Sequence, residues 1–228
     1  MNIAILLAAG DGKRLNGEIP KQFIKIKDKP LFVYPLLKLL SSNLIDRIII
    51  VTKAEYRNDV ISITKSLNPT KTIEVINGGN TRQDSVYNAL KLLKKESIES
   101  NTNILIHDSA RIFLNDDLIT ESLSSINKHN AVTVAIKSAD TLADINETKI
   151  NNIINRTKTY KLQTPQTFKF STILKAHEVA KEKNLSNYTD DTSLVLDIGE
   201  DVFIIPGDEK NFKITTQIDL KLAEFLLQ

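Results

Sequence analysis

Five apolar, largely β-branched runs recur along the chain, over residues 2–7, 47–52, 72–76, 103–107 and 131–136, and helix-length segments separate them. This alternation constrains the fold more than any other feature. A strand that is apolar on both sides of its pleat has to be covered on both faces, which is the situation of a parallel sheet layered by helices. The intervening segments 31–40, 54–67, 84–94 and 116–127 are read as those helices. In the third, Val86, Ala89, Leu90 and Leu93 follow the i, i+3, i+4, i+7 spacing of a helix with one buried face. The expected class is therefore a doubly wound α/β sheet.

Residues 140–160 break the rhythm, being polar and rich in Asn, Thr and Lys with no helical apolar stripe, and are read as an excursion forming a β-arm. Beyond it the pattern predicts a helix over 170–183 and a short strand over 202–205. Thr216 and Asp219 have the spacing of a capping box that opens a last helix running to residue 227. The expected organisation is one domain over residues 1–228 with the arm as its appendage.

Composition narrows the function. The 228 residues are 41% hydrophobic, enough for a sizeable core, yet no stretch approaches the roughly 20 apolar residues that span a bilayer. There are no cysteines, which removes disulfides, thiolate metal sites and Cys nucleophiles. The formal charge of +2 lacks the basic excess of a duplex-binding protein. The expectation is a cytoplasmic protein that binds neither membrane nor nucleic acid. Glycine is scarce, at seven residues, and five of these sit in two clusters that each follow a predicted strand: Gly10, Gly12 and Gly17, then Gly78 and Gly79. Backbone freedom is concentrated where an open α/β sheet binds its ligands, beyond the carboxyl ends of the strands.

The first loop reads Ala8-Ala9-Gly10-Asp11-Gly12-Lys13-Arg14-Leu15, followed by Pro20-Lys21-Gln22. Its glycines let backbone N–H groups face an anion, and Lys13, Arg14 and Lys21 add fixed positive charge, so it suits phosphates. It is no Walker A loop, and Leu15 stands where a dinucleotide fingerprint has its third glycine. A solvated glycine-rich turn would use the same residues. The second loop, Gly78 to Ser85, is suited to reading a base edge by its amides with Arg82 close to phosphate. The plainer reading is a turn in which Asp84 or Ser85 caps the next helix. The third, His107-Asp108-Ser109-Ala110-Arg111, brings a carboxylate and a guanidinium to the end of a central strand. An acid there can hold Mg²⁺ or a hydroxyl and the arginine can grip a phosphate, or the two can form an ion pair that ties the loop down. His107 reads as a packed strand residue, and no role is assigned to His129 or His177. Late in the chain, Lys213 is flanked by apolar residues in Asn211-Phe212-Lys213-Ile214, a setting that suits either an ammonium aimed inward or the commoner solvated surface lysine.

Taken in order, AAGxGxR…PKQ, GGxxRxxSV, HDxAR, DTL, R…QTPQxF, TDD and NxKxTTxxDL resemble the 2-C-methyl-D-erythritol 4-phosphate cytidylyltransferases and the related D-ribitol-5-phosphate cytidylyltransferases. The likeness extends over essentially the whole chain. It implies a Rossmann-like, mostly parallel sheet whose arm exchanges contacts across a homodimer with shared active sites. It also implies a reaction that joins a polyol phosphate to CTP, releasing pyrophosphate, with Mg²⁺ as cofactor. Such chemistry does without a histidine or cysteine base, because a phosphate monoester with its second pKa near 6 is largely a dianion at pH 7. In-line geometry and cations remain to be supplied.

The resemblance implies that Arg14, Lys21 and Lys213 act at the α-phosphate. Ala8, Ala9, Gly10, Gly12, Gly79, Asn80 and Ser85 would hold cytidine, with Arg82 supporting that loop. Asp108 would touch the ligand and is the candidate metal ligand, the CTP phosphates otherwise holding the magnesium. Arg111, Thr164 and Thr189 would face the polyol, and Thr141 and Arg156 would reach its phosphate from the partner's arm. Departures from the family pattern concern the polyol. Ile112 follows Arg111 in place of the usual proline, residues 136–139 lack the proline common before the DT pair, Ala143 replaces a frequent lysine and Tyr160 a frequent tryptophan. The last three lean towards ribitol phosphate, whereas Thr189-Asp190-Asp191 leans towards methylerythritol phosphate, which is the reading adopted, as a step of isoprenoid precursor synthesis. An NAD(P)-dependent oxidoreductase has only the Gly-x-Gly turn in its favour and lacks an acid after the second strand, where Thr52-Lys53 stands. A non-catalytic nucleotide-binding module would have little need for Arg14, Lys21 and Lys213 together.

Overall fold

The computed structural model describes residues 1–10, 20–186 and 188–228. Gly12 and Arg14 lie outside the described residues. The chain opens with β1 (Asn2–Ala8), a small hairpin of β2 (Lys25–Ile26) and β3 (Lys29–Pro30), and α1 (Val33–Ser41). It continues through β4 (Arg47–Thr52), α2 (Arg57–Ser66), β5 (Thr72–Asn77), α3 (Arg82–Lys95), β6 (Asn103–Asp108), α4 (Asp116–Ser125) and β7 (Ala131–Lys137). The rest is β8 (Ala143–Asn146), β9 (Lys149–Ile153), β10 (Tyr160–Lys169), α5 (Phe170–Glu182), α6 (Asp191–Asp197), β11 (Phe203–Pro206) and α7 (Gln217–Leu226).

Seven strands form one sheet in the order β11-β7-β10-β6-β1-β4-β5. Only β10 runs antiparallel to its neighbours among these strands, so the sheet is mostly parallel as expected. The apolar runs divide by parity. Ala4, Leu6 and Ala8 of β1, with Ile48 and Ile50 of β4, pack against α1 and α4 on one face. Ile3, Ile5 and Leu7, with Ile49 and Val51, pack against α3, α5 and α6 on the other. Burial on both faces is why these strands read as unbroken hydrophobic runs. From β1 the chain builds outward through β4 and β5, then returns to place β6 on the other side of β1. This reversal is the switch point where such sheets bind ligands.

Two boundaries differ from the sequence reading, for local reasons. The helix expected from residue 31 begins at Val33 because Pro35, which has no N–H to give, fits only within a first turn. The segment from residue 54 starts with a 3-10 turn, Ala54–Tyr56, before α2. The larger surprise is β10, ten residues with no apolar pattern in its middle. Its pairing with β7 is interrupted between Gln163 and Gln166, across Pro165, which cannot donate to the ladder. Its central glutamine, which disguises it, is satisfied inside: the Gln166 amide donates to Thr133 Oγ1 (3.2 Å) and Asp190 Oδ2 (3.1 Å).

The arm is a hairpin of β8 and β9, which pair only with each other among the described strands. The Ser138 N–H donates to the Thr159 carbonyl across its base (3.0 Å). Leu142, Ile145, Ile150, Ile153 and Ile154 are all exposed along it. The capping box of α7 forms as its spacing predicts, with Thr216 Oγ1 accepting from the Asp219 N–H (3.2 Å) and Asp219 Oδ2 accepting from the Thr216 N–H (2.7 Å). Among the described residues, no helix is long and apolar enough to cross a membrane.

Candidate active site

The loops that leave β1, β4, β5 and β6 at their carboxyl ends enclose a cavity of about 770 Å³. Ala9 and Gly10 enter it from β1, Asp108 from β6, and Lys21 and Lys213 from elements flanking the sheet. Ala8, the last residue of β1, is buried beneath it.

The loop after β5 is shaped by close approach. Gly78 donates its N–H to the Thr52 carbonyl (2.7 Å), and a Cβ at Gly78 would lie 2.9 Å from the Ala9 Cβ. At Gly79 a Cβ would lie 2.2 Å from the Asp84 Cβ, an overlap that only glycine avoids. Thr81 caps α3 by accepting from the Asp84 N–H (3.0 Å), with Asp84 answering at the Thr81 N–H (3.2 Å). Ser85 accepts from the Gly79 N–H (3.1 Å) and donates to the Thr81 carbonyl (2.9 Å). The plainer reading of the loop thus holds in part: its side chains build the turn, but the cap is Thr81, with Asp84 as its partner and Ser85 bracing the turn. The turn in turn presents Gly79, Asn80, Arg82 and Ser85 to the cavity.

Asp108 is the charged centre. Its Oδ2 accepts from Lys213 Nζ (2.7 Å), its Oδ1 from Arg82 Nε (3.3 Å), and its own N–H donates to Thr164 Oγ1 (3.1 Å). Burial alone would raise its pKa, but Arg82 and Lys213 overcome that and hold the carboxyl well below its usual range. Arg82 bridges Asp108 to a second carboxylate, Asp191, at Nη1 (2.6 Å). Although burial works against its charge, these two acids leave it more firmly protonated than a free arginine. The Asp108–Arg111 pair considered from sequence is replaced by these contacts, for Arg111 donates to the carbonyls of Asn211 (2.8 Å) and Leu162 (3.3 Å).

The two lysines meet through one backbone segment. Ile214 donates its N–H to the Ala110 carbonyl (2.9 Å), and its own carbonyl accepts from Lys21 Nζ (2.9 Å). The loop after β6 thereby draws Lys213 and Lys21, 192 residues apart in sequence (213 minus 21), to one cavity. Lys213 is 39% exposed while its partner Asp108 is 11% exposed, so the ammonium sits at the boundary between water and the protein interior, aimed inward, the first of the two settings its apolar flanks allow.

The remaining expected residues are placed as follows. Thr164 is buried behind Asp108, where its hydroxyl also contacts His107 Nδ1 (3.0 Å). Thr189 is exposed just before α6, and Thr141 and Arg156 stand on the exposed arm, none of the three lining this chain's cavity. His107 is fully buried, its Nε2 3.0 Å from the Arg111 carbonyl, and burial lowers its pKa to about 4. It is a packed neutral residue, as read from sequence. His177, left without a role, contacts Asp191 (3.2 Å). Gln22, Lys53, Thr81 and Thr215 also line the cavity and were not singled out. Thr81 was legible from its Thr-x-x-Asp spacing, Lys53 from its place directly after a strand, and Gln22 and Thr215 from the PKQ and NxKxTTxxDL motifs that contain them.

For a magnesium ion, Asp108 is the carboxylate in the cavity lining, and no cluster of three or more His, Asp or Glu ligands occurs among the described residues. This donor set suits an ion carried in by phosphates, since Mg²⁺ commonly takes one or two carboxylates and completes its octahedron with water and substrate oxygens.

Comparison with known proteins points one way. The family model described as 2-C-methyl-D-erythritol 4-phosphate cytidylyltransferase matches residues 2–228. A protein of that name from Thermotoga neapolitana is 39% identical over 226 residues, covering 99% of this chain and 96% of the relative. The crystal structure of 4-diphosphocytidyl-2C-methyl-D-erythritol synthase from Anaerococcus prevotii superposes with a TM-score of 0.83 at 28% identity, covering 100% of this chain and 96% of that one. The cytidylyltransferase structure from Francisella tularensis gives the same TM-score and identity over 98% of each chain.

Proposed function

We propose, from the premise that this chain belongs to the 2-C-methyl-D-erythritol 4-phosphate cytidylyltransferase family, that its cavity couples CTP to 2-C-methyl-D-erythritol 4-phosphate. The products are pyrophosphate and the CDP-linked polyol, and the step belongs to isoprenoid precursor synthesis. The oxidoreductase alternative falls with the family assignment. What carries the mechanistic reading is the convergence of Lys21 and Lys213 on a cavity that also holds the glycine-loop backbone and the Asp108 carboxylate.

The polyol phosphate attacks the α-phosphorus of CTP in line with the departing pyrophosphate. The attacking oxygen is already ionised near neutral pH, so no side chain has to remove a proton from it. The buried, neutral His107 is consistent with that economy. The loops of Ala9, Gly10, Gly79 and Asn80 hold the cytidine end, with Arg82 and Ser85 fixing the second loop. Lys21 and Lys213, with Arg14 from outside the described residues, stabilise the charge that gathers on the α-phosphoryl oxygens. Asp108 keeps Lys213 in place until phosphate competes for it. Asp108 is the residue that would contact a Mg²⁺ ion brought in by the CTP phosphates, and such an ion would supply neutralisation of charge on the leaving pyrophosphate. The enzyme works in the cytoplasm.

On the polyol side, Arg111 and Thr164 stand behind Asp108, and Thr189 lies at the start of α6. Thr141 and Arg156 serve the cavity of a second subunit, the hairpin's exposed isoleucines being covered in a homodimer. Support for this arrangement is that the hairpin stands off the sheet with an apolar exposed surface, and that neither residue lines the cavity of its own chain. Mixing Arg156→Ala protein with Lys21→Ala protein is expected to recover activity, because one of the two sites in a heterodimer then has both residues intact. Absence of recovery from subunits shown to exchange would refute a shared site.

The reaction itself is tested by pyrophosphate release with CTP and Mg²⁺, comparing 2-C-methyl-D-erythritol 4-phosphate with D-ribitol 5-phosphate. A kcat/KM preference above about tenfold for the first, or roughly 1.4 kcal/mol of transition-state discrimination, is the expected result. The reverse preference would transfer the assignment to the ribitol branch.

A further inference from the structure

One buried carboxylate has no part in the mechanism above. Asp191, the first residue of α6, is fully buried and does not line the cavity. Its Oδ2 accepts from Arg82 Nη1 (2.6 Å), its Oδ1 lies 3.2 Å from His177 Nε2, and its N–H donates to Gln166 Oε1 (3.2 Å). His177, on α5, stacks on Tyr87 of α3 with the ring centroids 5.9 Å apart. Asp191 is thus tied to α3, α5 and β10 at once. Beyond Arg82 the contacts continue to Asp108 (3.3 Å) and on to Lys213 (2.7 Å).

We propose that Asp191 is a positioning residue for nucleotide transfer, acting through Arg82 to hold the Asp108 carboxylate and the Lys213 ammonium at the cavity floor. The inference rests on the reading of this cavity as the CTP site. Three physical points carry it. A guanidinium held along only one edge can swing about its side-chain torsions, whereas carboxylates at Nε and Nη1 fix both its position and its plane. Without Asp191 the row Arg82, Asp108, Lys213 would hold an uncompensated positive charge, and Asp191 closes it as an alternating row of two acids and two bases. Arg82 is also the first residue of α3, directly after the glycine loop, so the same contact anchors the backbone that faces the nucleotide. The ionised state this requires is favoured: burial would raise the Asp191 carboxyl, but Arg82 and His177 hold it below the usual range.

The test is Asp191→Asn in the full chain, which keeps the size of the side chain and removes its charge. Expected is a 10- to 100-fold loss in kcat/KM for CTP, in the range found when groups that orient a site are removed, with no change in KM for the polyol phosphate. In an Arg82→Gln background the same substitution should cost less than about threefold, because its effect passes through that arginine. Soluble, folded Asp191→Asn protein with wild-type kcat/KM would overturn the inference. So would equal losses in both backgrounds, or a KM for the polyol phosphate raised as much as the KM for CTP. Should Asp191→Asn not fold, His177→Asn takes its place, with a smaller loss of the same pattern expected and wild-type kinetics overturning it. If wild-type protein released no pyrophosphate from CTP, the functional reading would fail by itself. Calorimetric CTP affinity would then decide the inference, weakening in Asp191→Asn supporting it and an unchanged affinity overturning it.

Discussion

Lys213→Ala is expected to lower kcat by about 10²- to 10³-fold, or roughly 3–4 kcal/mol, the usual cost of deleting a preorganised donor aimed at transition-state charge. Lys213 reaches its place without help from the substrate, since Asp108 holds the ammonium at 2.7 Å and the Ile214–Ala110 backbone bond fixes the segment that carries it. A cation set in advance needs no reorganisation when charge develops. Because it interacts more strongly with the transition state than with bound CTP, kcat and kcat/KM should fall together. The thermal midpoint should move little, for Lys213 is partly solvated and Asp108 keeps Arg82. Lys21→Ala should behave alike, and the double variant should lose less than the product of the single effects if both lysines serve one phosphate. Turnover near wild type in folded Lys213→Ala protein would remove Lys213 from the mechanism.

Acid should destabilise the protein well before its carboxylates titrate, with His107 as the source. The contacts around His107 require the neutral ring: Nε2 donates to the Arg111 carbonyl, which leaves Nδ1 to accept from the Thr164 hydroxyl, whose oxygen in turn accepts from the Asp108 N–H. Burial lowers the pKa from 6.5 to about 4. Between those values the unfolded chain binds a proton that the native state refuses, so stability falls as pH drops through this window. The difference amounts to about 3 kcal/mol over the full window, of which about 2 kcal/mol is lost between pH 7 and pH 5. Asp108 and Asp191 act in a lower range. Their depressed values contribute stability that is present above the unfolded carboxylate pKa near 4 and is lost as pH falls below it. Urea unfolding at pH 7 and pH 5 separates the effects, because His107→Gln should remove most of the loss in that interval. Identical pH dependences in the variant and the wild type would exclude His107 as its source.

The parallel core was legible because burial on both faces writes itself into the chain as unbroken runs, and the observed strands end within a residue of them. β10 was hidden by the same logic inverted. Its two central glutamines find specific partners on β7, at the N-cap of α6 and in the segment before α7, and no local pattern records those partners. Among site residues, the glycines were readable from their clustering, whereas the Thr81–Asp84 capping box was not singled out although its spacing marks it. The use of Arg82 was not, since the choice between phosphate, Asp108 and Asp191 is made by elements that only packing brings together.

The sequence by itself determined the fold class, the strand ends at which a ligand could sit, the family and hence the reaction, because each depends on local pattern or on ordered motifs. Only the tertiary structure decided which charges face one another. It set Lys213 on Asp108, tied Arg82 to Asp191, turned Arg111 to backbone carbonyls and kept His107 neutral. The reason is that a charge's partner is set by distance and by exclusion of water, and residues 109 positions apart, as Arg82 and Asp191 are, acquire both only when the chain closes around them.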